Sequence, residues 1–134
     1  MKIKNITVRS KARTEFIDIT SEIQKLIDEE GVKNGICYLF VPHTTAGITI
    51  NEGADPSVQK DIQALLNRLA PQDLNYLHRE GNADAHIKST IVGVDKFVFI
   101  EDGRLVLGRW QAIYFCEFDG PRHRRVEVKI IPND

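Results

Sequence analysis

Asp102-Gly103 is the feature that most restricts how this chain can fold. It stands between two apolar runs, DKFVFI (95–100) and RLVLG (104–108), where an Asp-Gly pair predicts a two-residue hairpin. Such a turn joins antiparallel neighbours, so the last third of the chain reads as antiparallel sheet. WQAIYFCEF (110–118) continues as strand, and RRVEVKII (124–131) alternates through Val126, Val128 and Ile130.

Two helices are signalled earlier in the chain. Ser21 and Gln24 have capping-box spacing, Ile23, Leu26 and Ile27 form an apolar stripe, and Gly31 supplies the stop, predicting a helix over 21–30. Asp55-Pro56 reads as an N-cap followed by proline at the first helical position. Val58, Ile62, Leu65, Leu66 and Leu69 then recur at helical spacing until Ala70-Pro71. Residues 2–9 and 14–19 read as a hairpin turning at Ser10–Arg13, with Phe16 on the face opposite Ile17 and Ile19. GICYLFV (35–41) reads as a strand covered on both faces, and Ile48 and Ile50 mark another. Residues 71–85 read as a polar loop, and 86–92 (HIKSTIV) fit a short helix or a strand. The sum is a single α+β domain over 1–134, with a largely antiparallel or mixed sheet and two main helices.

Composition narrows the partners. With 18 Lys and Arg against 19 Asp and Glu, the net charge of −1 argues against a broad basic face for nucleic acid or a polybasic membrane anchor. No apolar run approaches the ~20 residues of a membrane span, and the N-terminus lacks a signal-peptide core. Cys37 and Cys116 lie in apolar runs and read as buried thiols, which suits a reducing, cytoplasmic setting.

The candidate chemistry lies mostly in loops. His43 leaves a core strand in a Thr/Gly-rich segment, a placement common for catalytic groups held by a rigid scaffold. A hydrogen-bonded loop histidine is the plainer alternative. Thr44 and Thr45 could hold phosphate oxygens, although isolated Gly47 and Gly53 exclude a P-loop or dinucleotide fingerprint. Asn51 and Glu52 suit a hard cation or substrate hydroxyls, while Asp55 has a cap to make. His78 and His86 share no metal-binding spacing, yet three histidines suffice for a metal with an open position. Acid–base work by one of them is equally open. Arg122 sits in a local basic segment, DGPRHRR, and could capture an anion.

Taken together, PHTTAGITINE (42–52), GNADAHIKSTIVG (81–93) and GRWQAIYFCEFDGPRHRRV (108–126) resemble the signatures of the YjbQ-like family, also called secondary thiamine-phosphate synthases. The resemblance spans essentially the whole chain. It implies a compact α+β fold, a homotrimer, and an activity that joins a pyrimidine diphosphate to a thiazole phosphate with release of diphosphate.

It also implies a polar site at His43, Thr44, Thr45, Asn51, Glu52, His78, Asn82, His86, Ser89 and Gln111. On this reading His43, His78 and His86 are catalytic. Thr44, Thr45, Asn51, Asn82, Lys88, Ser89, Gln111 and Arg122 contact substrate or phosphate. A divalent metal, Mg or Zn, would sit on His43, His78, His86 and Glu52, with no nucleotide cofactor. The expected partner is a small phosphorylated metabolite, without nucleic acid or membrane. The competing readings are a non-catalytic metal- or phosphometabolite-binding trimer and a metal-dependent hydrolase of another small substrate.

Overall fold

A computed structural model describes residues 2–133. The elements are β1 (Lys4–Arg9), β2 (Glu15–Asp18), α1 (Thr20–Glu30), β3 (Gly35–Phe40), β4 (Ala46–Glu52), α2 (Pro56–Leu69), α3 (Ala83–Val92), β5 (Asp95–Glu101), β6 (Arg104–Leu105), β7 (Gln111–Glu117) and β8 (His123–Pro132). A five-stranded sheet, β1-β8-β3-β5-β6, faces a three-stranded sheet, β2-β7-β4. The strand pairs within both are antiparallel.

Strand alternation builds the main core between the sheets. Cys37, Leu39, Val98, Val126, Val128 and Ile130 point inward from the large sheet to meet Ile48, Ile113 and Phe115 of the small one. Ile23 and Ile27 of α1 close one side of this core. The other face of the small sheet carries Ala112, Tyr114 and Cys116, which pack with Leu66, Ala85 and Phe118 in a second cluster. Helices α2 and α3 thus cover the small sheet, and the α+β class holds with three helices.

The turn at Asp102-Gly103 forms as predicted, with φ of 51° and 78°, the left-handed values that such a hairpin requires. Asp55 caps α2 by accepting from the Ser57 N–H at 3.0 Å. Gly31 ends α1 in left-handed conformation. Phe16 and Ile17 pack against different clusters, as their alternation predicts. Cys37 and Cys116 are buried and free, and burial pushes the Cys37 thiol pKa up to about 12. Among the described residues, no helix is long and apolar enough to cross a membrane.

Four expectations are corrected. Residues 2–9 and 14–19 do not form a hairpin: β1 pairs with β8, and β2 crosses to β7 in the other sheet. The connection is pinned instead by Ser10 on Glu117 and Arg13 on Asp84. No Ser21–Gln24 capping box forms. The helix starts at Thr20, whose N–H is taken by Asp18 Oδ1, while Gln24 reaches across to Gly103 O and the Leu105 N–H. Strand β3 is covered on one face only, leaving Tyr38 and Phe40 exposed. The polar stretch ends at Asn82, because 83–92 form α3.

Candidate functional site

Glu117 ends an apolar strand and is wholly buried. An isolated carboxylate there would be costly, so its partners matter. Arg124 donates Nε to Oε1 at 2.9 Å and a second N–H to Oε2. Ser10 Oγ donates to Oε1 at 2.7 Å and the Asp119 N–H to Oε2 at 3.0 Å. Burial opposes ionisation, but these bonds outweigh it and hold the Glu117 pKa below its ordinary value. The same Arg124 guanidinium donates to Thr45 Oγ1 at 2.9 Å, tying the start of β8 to the entry of β4.

His43 lies against this corner. Its Nε2 accepts from the Arg125 main-chain N–H at 3.0 Å, so Nδ1 carries the proton of the neutral ring. Burial first, and then the charges of Arg124 and Arg125, lower its pKa. The ring is suited to donate a hydrogen bond through Nδ1–H. Ligating a metal through Nε2 would require giving up the Arg125 bond.

A second group joins the corner through main-chain N–H groups, Asp119 on Glu117 and Arg122 on Ser10. Asp119 accepts from Arg122 at 3.0 Å and from Asn82 at 2.9 Å, and Asn82 Oδ1 lies 3.0 Å from His78 Nε2. The His78 and His86 rings meet edge to face with centroids 5.1 Å apart. Both line an open, mostly apolar recess of about 580 Å³ with Tyr76, the fully exposed Leu77, Ala83 and Ile87. Helix α3 is brought there by Gly47. A Cβ at Gly47 would lie 2.6 Å from Gly93 O, and it is this close approach that lets the Ile48 N–H bond Gly93 O at 3.0 Å.

The structure therefore brings together His43, Thr45, His78, Asn82, His86 and Arg122 through one connected network, with Thr44 exposed beside it. It does not bring Asn51, Glu52 or Gln111 there. These three lie at the far end of the β4–β7 pair, ~20 Å along the strand from Ala46 at ~3.3 Å per residue. Asn51 accepts from the Glu52 N–H, Glu52 from the Ala54 N–H, and Gln111 from the Gly108 N–H, so all three serve local turns.

Three further assignments change. Lys88 does not reach a phosphate: it is 1% exposed and donates to Asp84 at 2.9 Å and Asn67 at 2.7 Å. Ser89 is buried and donates to Ala46 O, fastening α3 to β4. Thr45 is buried, with its oxygen committed to Arg124. The set His43, His78, His86 and Glu52 does not fit a metal within one chain. Among the described residues no three His, Cys, Asp or Glu side chains gather to hold an ion.

Sequence reasoning missed Ser10, Arg13, Asp84, Glu117, Asp119 and Arg124. Two signals were present. Glu117 is the one charge inside IYFCEF, and Asp84 and Lys88 stand four apart, one helical turn. Asp84 is gripped on its other side by both Arg13 terminal nitrogens at 3.0 Å.

Two facing antiparallel sheets, helices over the smaller one, and a charged network at the β7–β8 corner define an α+β protein with a polar site on the edge of its sandwich. The chain belongs to the UPF0047 YjbQ-like family, whose model matches residues 4–133. It is 54% identical over 124 residues to UPF0047 protein MJ1081 of Methanocaldococcus jannaschii, covering 92% of this chain and 90% of that protein. It is 46% identical over 130 residues to UPF0047 protein YugU of Bacillus subtilis, covering 96% and 98%. Among solved structures, a YjbQ/UPF0047 family protein of Clostridium acetobutylicum superposes with a TM-score of 0.93 at 50% identity, covering 96% of this chain and 99% of that one. The Aeropyrum pernix protein APE1520 gives 0.94 at 34% identity, covering 99% and 100%.

Proposed function

We propose that this protein is a transferase of small phosphorylated heterocycles, joining a pyrimidine diphosphate to a thiazole phosphate. In that reaction the thiazole nitrogen forms a bond to the pyrimidine methylene carbon. The carbon–oxygen bond to diphosphate breaks, and its electron pair leaves with diphosphate. Little covalent help is required; the site must position two rings and stabilise the departing charge.

The observation that carries this reading is the His78–His86 pair on the wall of a largely apolar cavity, linked through Asn82 and Asp119 to Arg122. Tyr76, Leu77 and Ile87 suit the faces of planar rings and the histidines suit phosphate oxygens, while Arg122, outside this lining, is joined to them through Asp119 and Asn82. His43 would add an Nδ1–H donor. Of the four candidate metal donors, His43, His78 and Glu52 are each already hydrogen-bonded within the chain.

The test is an assay of the two precursors with diphosphate release measured at cellular substrate levels. Wild type is expected to exceed His86→Ala by ~100-fold, the lower range for one general acid–base or electrostatic group. Equal rates would overturn the reading, and tight binding of the phosphorylated precursors without turnover would favour a binding module.

A cytoplasmic homotrimer is part of this proposal. Support comes from the outer face of the large sheet, where Tyr38, Phe40, Phe97 and Phe99 are each about half exposed and the rings of Tyr38, Phe97 and Phe99 meet in a row. Of the C-terminal apolar residues, Ile113 and Phe115 are buried in the core, leaving Val106 and Trp110 exposed. Sedimentation should show a trimer that Phe97→Glu dissociates; a wild-type monomer would overturn this part.

A further inference from the structure

We infer that the Arg124 guanidinium is a positioning group that fixes His43 as an Nδ1–H donor. The inference rests on the reading of His43 as a hydrogen-bond donor in the proposed site and names what holds it there.

The His43–Arg125 bond is made by two separate chain segments, and one side chain restrains both. Arg124 precedes Arg125, so pinning its side chain on Glu117 fixes the strand that presents the Arg125 N–H. Thr45 lies two residues beyond His43, and both its Oγ1 and its carbonyl accept from the same Arg124 nitrogen, at 2.9 and 3.3 Å. Arg124 is 7% exposed and Glu117 wholly buried, so water does not compete for this fork. A bond between a ring nitrogen and a main-chain N–H sets the tautomer, because that nitrogen must keep its lone pair. Arg124 therefore acts on His43 through geometry, without touching it.

The experiment reads the tautomer directly. Long-range proton–nitrogen correlation spectra of ring-labelled protein distinguish protonated from unprotonated ring nitrogens. Wild-type His43 is expected to show an unprotonated Nε2 and a protonated Nδ1. Arg124→Lys keeps the charge opposite Glu117 but has no planar fork to bridge to Thr45. In this variant the ratio of Nδ1–H to Nε2–H forms should fall roughly tenfold, the worth of about one hydrogen bond.

Should Arg124→Lys fail to fold, Thr45→Val, which keeps the ion pair, is read for the same fall. A folded variant in which His43 stays wholly Nδ1–H overturns the inference, as does a wild-type ring protonated at Nε2. No substrate is used, so the two ideas fail separately. Absent turnover alongside the expected tautomer shift counts only against the transferase reading. Full turnover with an unshifted tautomer counts only against Arg124.

Discussion

The Glu117 carboxylate and the Arg124 guanidinium meet side by side in the protein interior, Oε1 against Nε at 2.9 Å and Oε2 against a terminal nitrogen. Breaking such a pair from one side leaves an uncompensated buried charge. Arg124→Met is therefore expected to destabilise by about 3–5 kcal/mol, whereas Glu117→Leu/Arg124→Met should recover most of that loss. Urea unfolding of the two variants checks this. A double variant no more stable than the single would contradict it.

Acid should weaken the fold in two windows. His43 has a depressed pKa, so the folded state disfavours its proton; its contribution is present above the ordinary value of 6.5 and declines as pH falls below it. Asp84 and Glu117 also have depressed pKa values despite their burial. Their stabilisation is present above their ordinary values of 3.8 and 4.5 and is lost as pH falls through the lowered ones. Thermal melts across pH 3–8 should show both declines. His43→Gln should remove the upper one only; a profile unchanged by that substitution would count against the assignment.

Lys88 and His86 separate structure from chemistry on one helix. Lys88→Met should lower stability by ~3 kcal/mol or more, since Asp84 loses one of its two cations. Its folded fraction should retain the wild-type KM for the precursors. His86→Ala should do the reverse, with nearly unchanged melting and lost turnover. Lys88→Met with normal stability but impaired binding would restore the phosphate-contact role.

Gly47 sets how closely α3 can dock. Gly47→Ala forces its new Cβ against Gly93 O, and the helix end must shift. The expected cost is about 1–3 kcal/mol, with shifted amide resonances concentrated in 83–93. Unchanged resonances there would show that α3 does not depend on this approach.

Strand identity was legible wherever one face of the chain meets the core, as in β8, where Val126, Val128 and Ile130 alternate with charged residues. Asp102-Gly103 and Asp55-Pro56 were legible because their backbone demands are local. Pairing was not: β1 and β2 look like a hairpin until the long alternation of β8 competes for β1. Helix α3 was obscured because Asp84, Lys88 and Ser89 point inward, which erases the contrast between an apolar and a polar face. The site was half legible for a related reason. His43, His78 and His86 stood out as histidines in or beside loop segments, but the carboxylates that organise the corner are marked only faintly, Glu117 as a lone charge within IYFCEF and Asp119 not at all.

Strand β4 works as a ruler with a parity. Its entry is tied to Arg124 through Thr45, its exit to β7 through Glu52 and Gln111, and between them Ile48 must face the core. Losing or gaining one residue between 46 and 52 would turn that side chain outward and change the span by ~3.3 Å. Length variation in chains of this fold should accordingly collect in the 71–82 loop, which carries His78 and Leu77, while the segment from His43 to Glu52 keeps a constant count.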